Sequence, residues 1–382
     1  MTAGKVFIVA GEASGDILGG RLISALNKLH PGLTYSGVGG ITMTKLGFNS
    51  LFPMHELSVM GIMEVLPRYL QLRRRFFQTM QAAIEFQPDI VVTVDFPGFN
   101  IRLAKELRKH LPNTKFVQYV GPSVWAHKPE RAKVVADLFD HVLLLLPFEK
   151  SYFDRVGVAN TVVGHPILEH ECRKVTQGFA SKYLTDPAAI PILVMPGSRE
   201  SEIKRLLPIF AQSLKMLGGN HIYLMPTMGH LEDIINQYGQ GLKFRIITDD
   251  EERWQAMAAS KIALAKSGTT TVELMRYGVP MVIAYHVNWL SELYIRRYVT
   301  VKYASLANLL LDRHALPEFL FSNCTASNIH AAMQALLTKP ALQQAQKDAM
   351  KEAINLMQDG IESNPGETPS AVAARVIAGL LG

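Results

Sequence analysis

The stretch Val6-Phe-Ile-Val-Ala-Gly-Glu-Ala-Ser-Gly-Asp16 decides the fold class. An unbroken apolar run suits a strand covered on both faces, and the glycine-bearing turn after it leads into a helix expected to start near Ile17. The unit recurs. Further strands are expected at Ile90–Val94, Phe116–Val120, His141–Leu146 and Thr161–Val163 in the first half. The second half offers Ile192–Met195, Ile222–Met225, Phe244–Ile247, Ile262–Ala265 and Met281–Ala284. Short apolar runs alternating with helical patterns read as βαβ units on parallel sheets. The expected class is therefore α/β, with two Rossmann-like doubly wound domains facing a cleft. A seam near Gly164-His-Pro166 separates a first domain, 1–166, from a second, 170–344. The tail is helical from about Pro340, breaks over Gly360–Pro369 and ends in a helix over Ala371–Leu381; its segment 345–382 is expected to pack back on the first domain.

Composition narrows the class of protein. At 382 residues, with 48% hydrophobic and 19% charged residues, the chain suits two domains with large cores and not a disordered polymer. Its net charge of +6 is spread too thinly for a nucleic-acid binder with a wholly positive surface. Two cysteines, Cys172 and Cys324, cannot build a disulfide framework or a four-cysteine zinc site, so a reducing compartment fits. Dense apolar runs such as Val142–Leu146 fall far short of the ~20 residues of a spanning helix. Val6–Ala10 is likewise too short for a signal peptide and lacks a cleavage-type region. A soluble or peripheral, cytoplasmic protein is expected.

In open α/β sheets ligands sit beyond the carboxyl ends of the strands, so the loops there carry the chemistry. Gly11-Glu-Ala-Ser-Gly-Asp16 offers a turn and a helix N-terminus suited to an anion, with Glu12 and Ser14 in reach; Ser14 or Asp16 could instead cap the helix. Its spacing matches neither the dinucleotide fingerprint nor a hydrolase nucleophile elbow. Asp95 ends its strand where a carboxylate faces the crevice and can act as a general base, or can simply accept N–H groups of its own turn. Asn100 is expected to cap the following helix. In Gly121-Pro-Ser-Val-Trp-Ala-His127, Trp125 and His127 face substrate, or Trp125 fills a gap between the domains.

The second half holds a stronger pair. In Met195-Pro-Gly-Ser-Arg199, Gly197 lets a phosphate approach the backbone, Ser198 can donate, and Arg199 can fork two oxygens. Ser267-Gly-Thr-Thr-Thr-Val-Glu273 repeats the device with Ser267, Gly268 and Thr269, and Glu273 can accept from a ribose diol. Either loop alone is an ordinary helix cap. Two at adjacent switch-point loops point to a nucleotide diphosphate. No Asp-x-Asp pair stands at a strand end to hold a divalent ion, and Asp249-Asp250 reads as a helix start. No metal or cofactor is expected.

The segment His55–Phe77 reads differently. With Pro67 as first helical residue, Tyr69, Leu72, Phe76, Met80 and Ala83 form a core stripe. Leu70 and Phe77 lie on a second stripe with Arg73, flanked by Arg74, and Val59, Met60, Ile62, Met63 and Leu66 precede it. A second apolar stripe beside arginines fits an element dipping into lipid headgroups, against the alternative of a packed helix with a solvated basic face.

Gly11–Asp16, Val59-Met-Gly-Ile-Met-Glu-Val-Leu66, Asp95–Asn100, Pro122-Ser-Val-Trp-Ala126, Leu146-Pro-Phe-Glu-Lys150, Gly164–Pro166, Pro196–Arg199, Ser267–Thr269 with Glu273, and Ser305-Leu-Ala-Asn-Leu-Leu310 follow one another in order. Together they resemble lipid-A-disaccharide synthase, an inverting glycosyltransferase family of the two-Rossmann GT-B type. The resemblance runs over about residues 5–315. Two departures stand out: His127-Lys128 where the family usually has Trp-Arg, and Ala307 where it often has Pro. The resemblance implies transfer of 2,3-diacylglucosamine from UDP-2,3-diacylglucosamine to 2,3-diacylglucosamine 1-phosphate, giving a β-1,6 disaccharide and UDP. It implies Asp95 as base, Glu12, Ser14 and Trp125 toward the acceptor, and Arg199, Glu273 and Asn308 as donor contacts. It also implies a first domain facing acceptor and membrane, a second binding the nucleotide-sugar, and a peripheral place on the cytoplasmic face of the inner membrane. It allows a homodimer. The competing readings are another enzyme of UDP-N-acetylglucosamine on this fold, an epimerase or murein-precursor transferase, and a peripheral nucleotide sensor without catalysis.

Overall fold

The structure, a computed structural model, describes residues 4–57, 62–287, 289–299 and 301–381. It divides into two units, residues 1–169 with 357–382, and His170–Leu356.

The first unit is built on β1 (Lys5–Ala10), β2 (Thr34–Val38), β3 (Ile90–Val94), β4 (Lys115–Tyr119), β5 (His141–Leu144) and β6 (Asn160–Val162). They form one parallel sheet in the order β2-β1-β3-β4-β5-β6. Its helices are α1 (Ala13–Leu29), α2 (Ile41–Thr44), α3 (Ile62–Phe86), α4 (Pro97–His110), α5 (Arg131–Leu138) and α6 (Lys150–Asp154). Alternate strand residues feed opposite cores, as a period of two requires. Phe7, Val9, Val91, Phe116 and Val142 pack with Ala83, Leu103, Leu107 and Val135. Val6, Ile8, Val92, Val94 and Tyr119 face Leu18, Leu22 and Leu26 of α1.

The second unit holds β7 (Ile190–Met195), β8 (His221–Pro226), β9 (Phe244–Ile247), β10 (Ile262–Lys266), β11 (Met281–Tyr285) and β12 (Glu318–Leu320). This sheet is also parallel, in the order β12-β11-β10-β7-β8-β9. Its helices are α7 (Gln177–Tyr183), α8 (Glu200–Lys215), α9 (Glu232–Tyr238), α10 (Asp250–Ala259), α11 (Thr269–Tyr277), α12 (Trp289–Tyr298), α13 (Leu306–Leu311), α14 (Ala326–Thr338) and most of α15 (Pro340–Gln358). A last helix, α16 (Pro369–Leu381), lies on α1, where Val372, Ala373, Ala374 and Ile377 are fully buried.

Sequence and structure differ at several element edges. The chain carries two strands beyond those expected, β2 and β12. One reads Thr-Tyr-Ser-Gly-Val and the other spans three half-buried residues; both are sheet edges, which need no continuous apolar run. Helices begin earlier than expected: α1 at Ala13, not near Ile17, α3 at Ile62, not Pro67, and α16 at Pro369. The core stripe of α3 starts at Leu72, because Tyr69 is exposed.

Strand order locates the crevices. In the first sheet the chain leaves β1 for β2 on one side and returns to β3 on the other. The loops after β1 and β3 therefore flank a topological switch point, where α/β sheets bind ligands. In the second sheet β7 and β10 hold that place.

Candidate functional site

At the first switch point β1 and β3 run side by side, Ala10 opposite Val94. The chain leaves β3 through two consecutive left-handed residues, Asp95 (φ 49°) and Phe96 (φ 48°). Non-glycine residues pay for this conformation in strain, and such strain is concentrated at working sites. The turn folds the Phe96 ring over Gly11. A Cβ on Gly11 would stand 2.4 Å from that ring, so only glycine lets the two loops meet.

Asp95 keeps part of its surface open. Burial raises its pKa above the usual carboxylate value, and an N–H from Phe96 offsets part of the rise. The main chain beneath it is held hard. Asn100 is not the cap of α4, which starts at Pro97; it is fully buried, and its Nδ2 donates to the carbonyls of Asp95 (2.7 Å) and Val94 (3.3 Å).

The other expected residues of this unit lie in the segments that follow β1 and β4. Glu12 precedes α1, and Ser14 is exposed in its first turn. Asp16, buried, does cap a helix, but not α1: its carboxylate accepts the N–H groups of Gly40, Thr42 and Met43 at the start of α2. Trp125 donates its indole N–H to Glu149 at 3.1 Å and packs edge-on against Phe148 at 5.3 Å. Glu149 is nearly fully buried and also accepts the N–H groups of Leu145 and Leu146. Burial raises its pKa to about 7. Sequence reasoning left Glu149 without a role; its signal was a carboxylate three residues after an apolar strand end.

At the second switch point β7 and β10 pair from Ile192–Ile262 to Met195–Ala265. Gly197 has φ 132°, and a Cβ there would strike the side chain of Glu202 at 2.3 Å. The Glu202 carboxylate lies over the loop and gathers three donors: Ser198 N–H (3.1 Å), Arg199 Nη1 (3.2 Å) and Lys266 Nζ (2.9 Å). An amide, a guanidinium and an ammonium converging on one carboxylate form a receptor of the kind a phosphate needs. Lys266 is the residue that sequence reasoning missed. It ends β10, so it joins the loop after β7 to the loop after β10.

In the second of these loops Thr269 opens α11 and is exposed, while Gly268 precedes it. Ser267 does not offer its proton outward, because its hydroxyl donates to Ala304 O at 2.7 Å. Glu273 is paired with Arg253, which lies 4.4 Å from the Trp254 ring centroid. Asn308 is fully buried. Its Nδ2 donates to Leu316 O and Glu318 Oε1, and its Oδ1 accepts from Ala315 and Leu316 N–H. In this structure the side chain is a strut for the Ser305–Leu311 segment. Asp249 caps α10 by accepting Glu252 N–H at 2.9 Å, as its sequence suggested.

On α3, Leu70 is 77% exposed and Phe77 48% exposed, beside Tyr69. Arg73 lies 5.7 Å from the Phe77 ring, and Arg74 is exposed. Arg75 is different: it clamps Glu56 with two bonds of 2.7 Å and stacks 4.6 Å over Phe52. Ile62, Met63 and Leu66 belong to the same helix, while Val59 and Met60 lie outside the described residues. Among the described residues no helix is long and apolar enough to cross a membrane.

Residues 6–372 match the family model of lipid-A-disaccharide synthetase. The chain belongs to the lipid-A-disaccharide synthase family. A lipid-A-disaccharide synthase of Granulibacter bethesdensis is 39% identical over all of both chains. The lipid-A-disaccharide synthase of Ruegeria pomeroyi is 40% identical over 89% of this chain and 88% of its own. Solved structures agree on the fold. The UDP-GlcNAc 2-epimerase of Neisseria meningitidis, bound to UDP-GlcNAc, superposes with a TM-score of 0.64 at 14% identity, covering 99% of this chain and 100% of its own. A glycosyltransferase of Rickettsia africae gives a TM-score of 0.53 at 13% identity, covering 99% of this chain and 98% of its own. Lipid-A-disaccharide synthase relatives thus extend over the whole chain, and these solved structures share its fold.

Proposed function

We propose that this chain transfers 2,3-diacylglucosamine from UDP-2,3-diacylglucosamine to 2,3-diacylglucosamine 1-phosphate with inversion, forming a β-1,6 disaccharide 1-phosphate and releasing UDP. The observation that carries it is the pair of switch points of opposite chemistry. One presents a carboxylate of raised pKa; the other presents a cationic cradle over two glycine loops.

The acceptor 6-hydroxyl attacks the anomeric carbon as the bond from that carbon to the β-phosphate oxygen breaks. Asp95 takes the hydroxyl proton. The electron pair of the broken bond leaves with UDP, whose β-phosphate gains charge. Ser198 N–H, Arg199 and Lys266 exchange Glu202 for the diphosphate, and the α8 and α11 N-termini with Gly197, Gly268 and Thr269 add to its stabilisation. Glu273 exchanges Arg253 for the ribose diol. Ser267 and Asn308 serve by holding the loops from behind. Glu12, Ser14 and Trp125 border the acceptor.

Leu70 and Phe77 with Arg73 and Arg74 form the surface for acyl chains and anionic headgroups, at the inner membrane's cytoplasmic face. Arg75 takes no part in it, being committed to Glu56.

The test is direct. Purified protein is given UDP-2,3-diacylglucosamine with and without the acylated acceptor, and UDP and lipid products are measured. UDP release that requires the acceptor, with one β-1,6 product, is expected. Turnover of UDP-N-acetylglucosamine without acceptor would mark an epimerase, and UDP binding without turnover a sensor.

A further inference from the structure

Gln118, fully buried in β4, sits between the two strained turns of the first crevice. One turn is the left-handed pair Asp95–Phe96. The other is Val120, a β-branched residue at φ 75°, where its side chain meets the backbone at high cost; it leads into Gly121–Trp125. Asn100 holds the first turn from its own helix, but it does not reach the second.

The Gln118 carboxamide does. Thr93 Oγ1 donates to its Oε1 at 2.6 Å, which fixes the amide's orientation and aims its NH2 group at the strand end. There Nε2 donates to the carbonyls of Asp95 (3.2 Å) and Val120 (3.1 Å), with Tyr119 O at 3.4 Å. Asn100 Nδ2 reaches the same Asp95 carbonyl from the other side, so both lone pairs of that oxygen are engaged. The Asp95 N–H is bonded to Tyr119 O at 2.8 Å. The peptide groups flanking the Asp95 Cα are thus immobilised, and that fixes the Cα–Cβ direction from which its carboxylate extends.

We propose that Gln118 is a positioning residue for the proton transfer: its single carboxamide locks the Asp95 turn and the Val120 turn together and thereby aims the Asp95 carboxylate. The inference rests on Asp95 being the base.

The test is a double-mutant cycle on the full chain. Gln118→Met keeps the length and removes both donors. It should lower kcat roughly 10–100-fold, the cost of an ångström-scale misplacement, with acceptor KM and UDP affinity within about twofold of the parent. In an Asp95→Asn background the same substitution should cost nothing further, because the group it aims is gone. Thr93→Val, which frees the amide to turn without touching Asp95, should give a smaller kcat loss with the same dependence on Asp95. Equal losses in both backgrounds would overturn the proposal, since Gln118 would then act on the fold at large. Parent-level kcat in folded Gln118→Met, or loss of fold in both Gln118→Met and Thr93→Val, would overturn it too. Asp95→Asn at parent turnover would instead remove the base assignment itself, a separate outcome.

Discussion

Asp95 gains basicity from the burial that raises its pKa, and it remains useful only while ionised. Below that raised pKa it is protonated and cannot accept the acceptor's proton, so kcat should fall with acidity at a pH above the ordinary carboxylate range of about 3.9. Asp95→Asn should slow turnover about 10²–10⁴-fold and abolish that acid limb, leaving UDP affinity unchanged by calorimetry. A variant with both turnover and acid limb intact would show Asp95 to be only a turn residue. On the donor side Arg199→Ala, Lys266→Met and Glu273→Gln should each weaken UDP binding by about 1–3 kcal/mol, the scale of a charge-assisted hydrogen bond. Unchanged UDP affinity in all three would refute the second unit as donor site. The strand ends that precede Asp95 and Arg199 were legible because the apolar runs of β3 and β7 stop there. Lys266 was not: a lysine closing an apolar run reads as solvated, and only the register of β10 beside β7 turns it toward Glu202.

On α3 the apolar period reads correctly from Leu72 on, and the exposed stripe of Leu70 and Phe77 was visible in the same period. The helix start was not, because Pro67 looks like a first residue when nothing distinguishes the turn before it. The arginine cluster also looked uniform in sequence. Its partition depends on Glu56, nineteen positions upstream of Arg75, which no local pattern exposes. Leu70→Ser with Phe77→Ser should remove the salt-resistant part of binding to anionic vesicles and raise the acceptor KM, leaving UDP affinity alone. Arg73→Gln with Arg74→Gln should remove the salt-sensitive part, worth ~1 kcal/mol per charge near the surface. Flotation of the Leu70/Phe77 variant with vesicles as the parent would sink the membrane reading. The edge strands β2 and β12 escaped notice for a related reason: each relies on pairing to one neighbour and carries little apolar pattern of its own.

The whole molecule is laid out so that its first unit contains a helix encoded far downstream. α16 buries Val372, Ala373, Ala374 and Ile377 against the same core as Ile8 and Leu22, and Ser370 N–H is bonded to Glu169. The return path is tight: Gly164 has φ 94°, a Cβ on it would lie 2.6 Å from Ile361, and Glu362 N–H reaches Val162 O at 3.0 Å. Ile377→Ala should cost about 2–5 kcal/mol, a buried isoleucine's usual loss, and it should fall on the first unit alone. In calorimetry UDP should shift the transition of the second unit and Ile377→Ala the other; a single transition moved by both would contradict the division. This arrangement reverses the order of assembly relative to the order of synthesis. As the nascent chain leaves the ribosome, β1 through β6 emerge first with α1 to cover part of one face, yet the α16 share of that core follows only about two hundred residues later. At 5–20 residues per second that is a delay of roughly ten to forty seconds. The second unit, which ends at Leu356, is synthesised inside that interval. The first unit is therefore completed last, and a product terminated before Pro369 would lack the α16 side of its core.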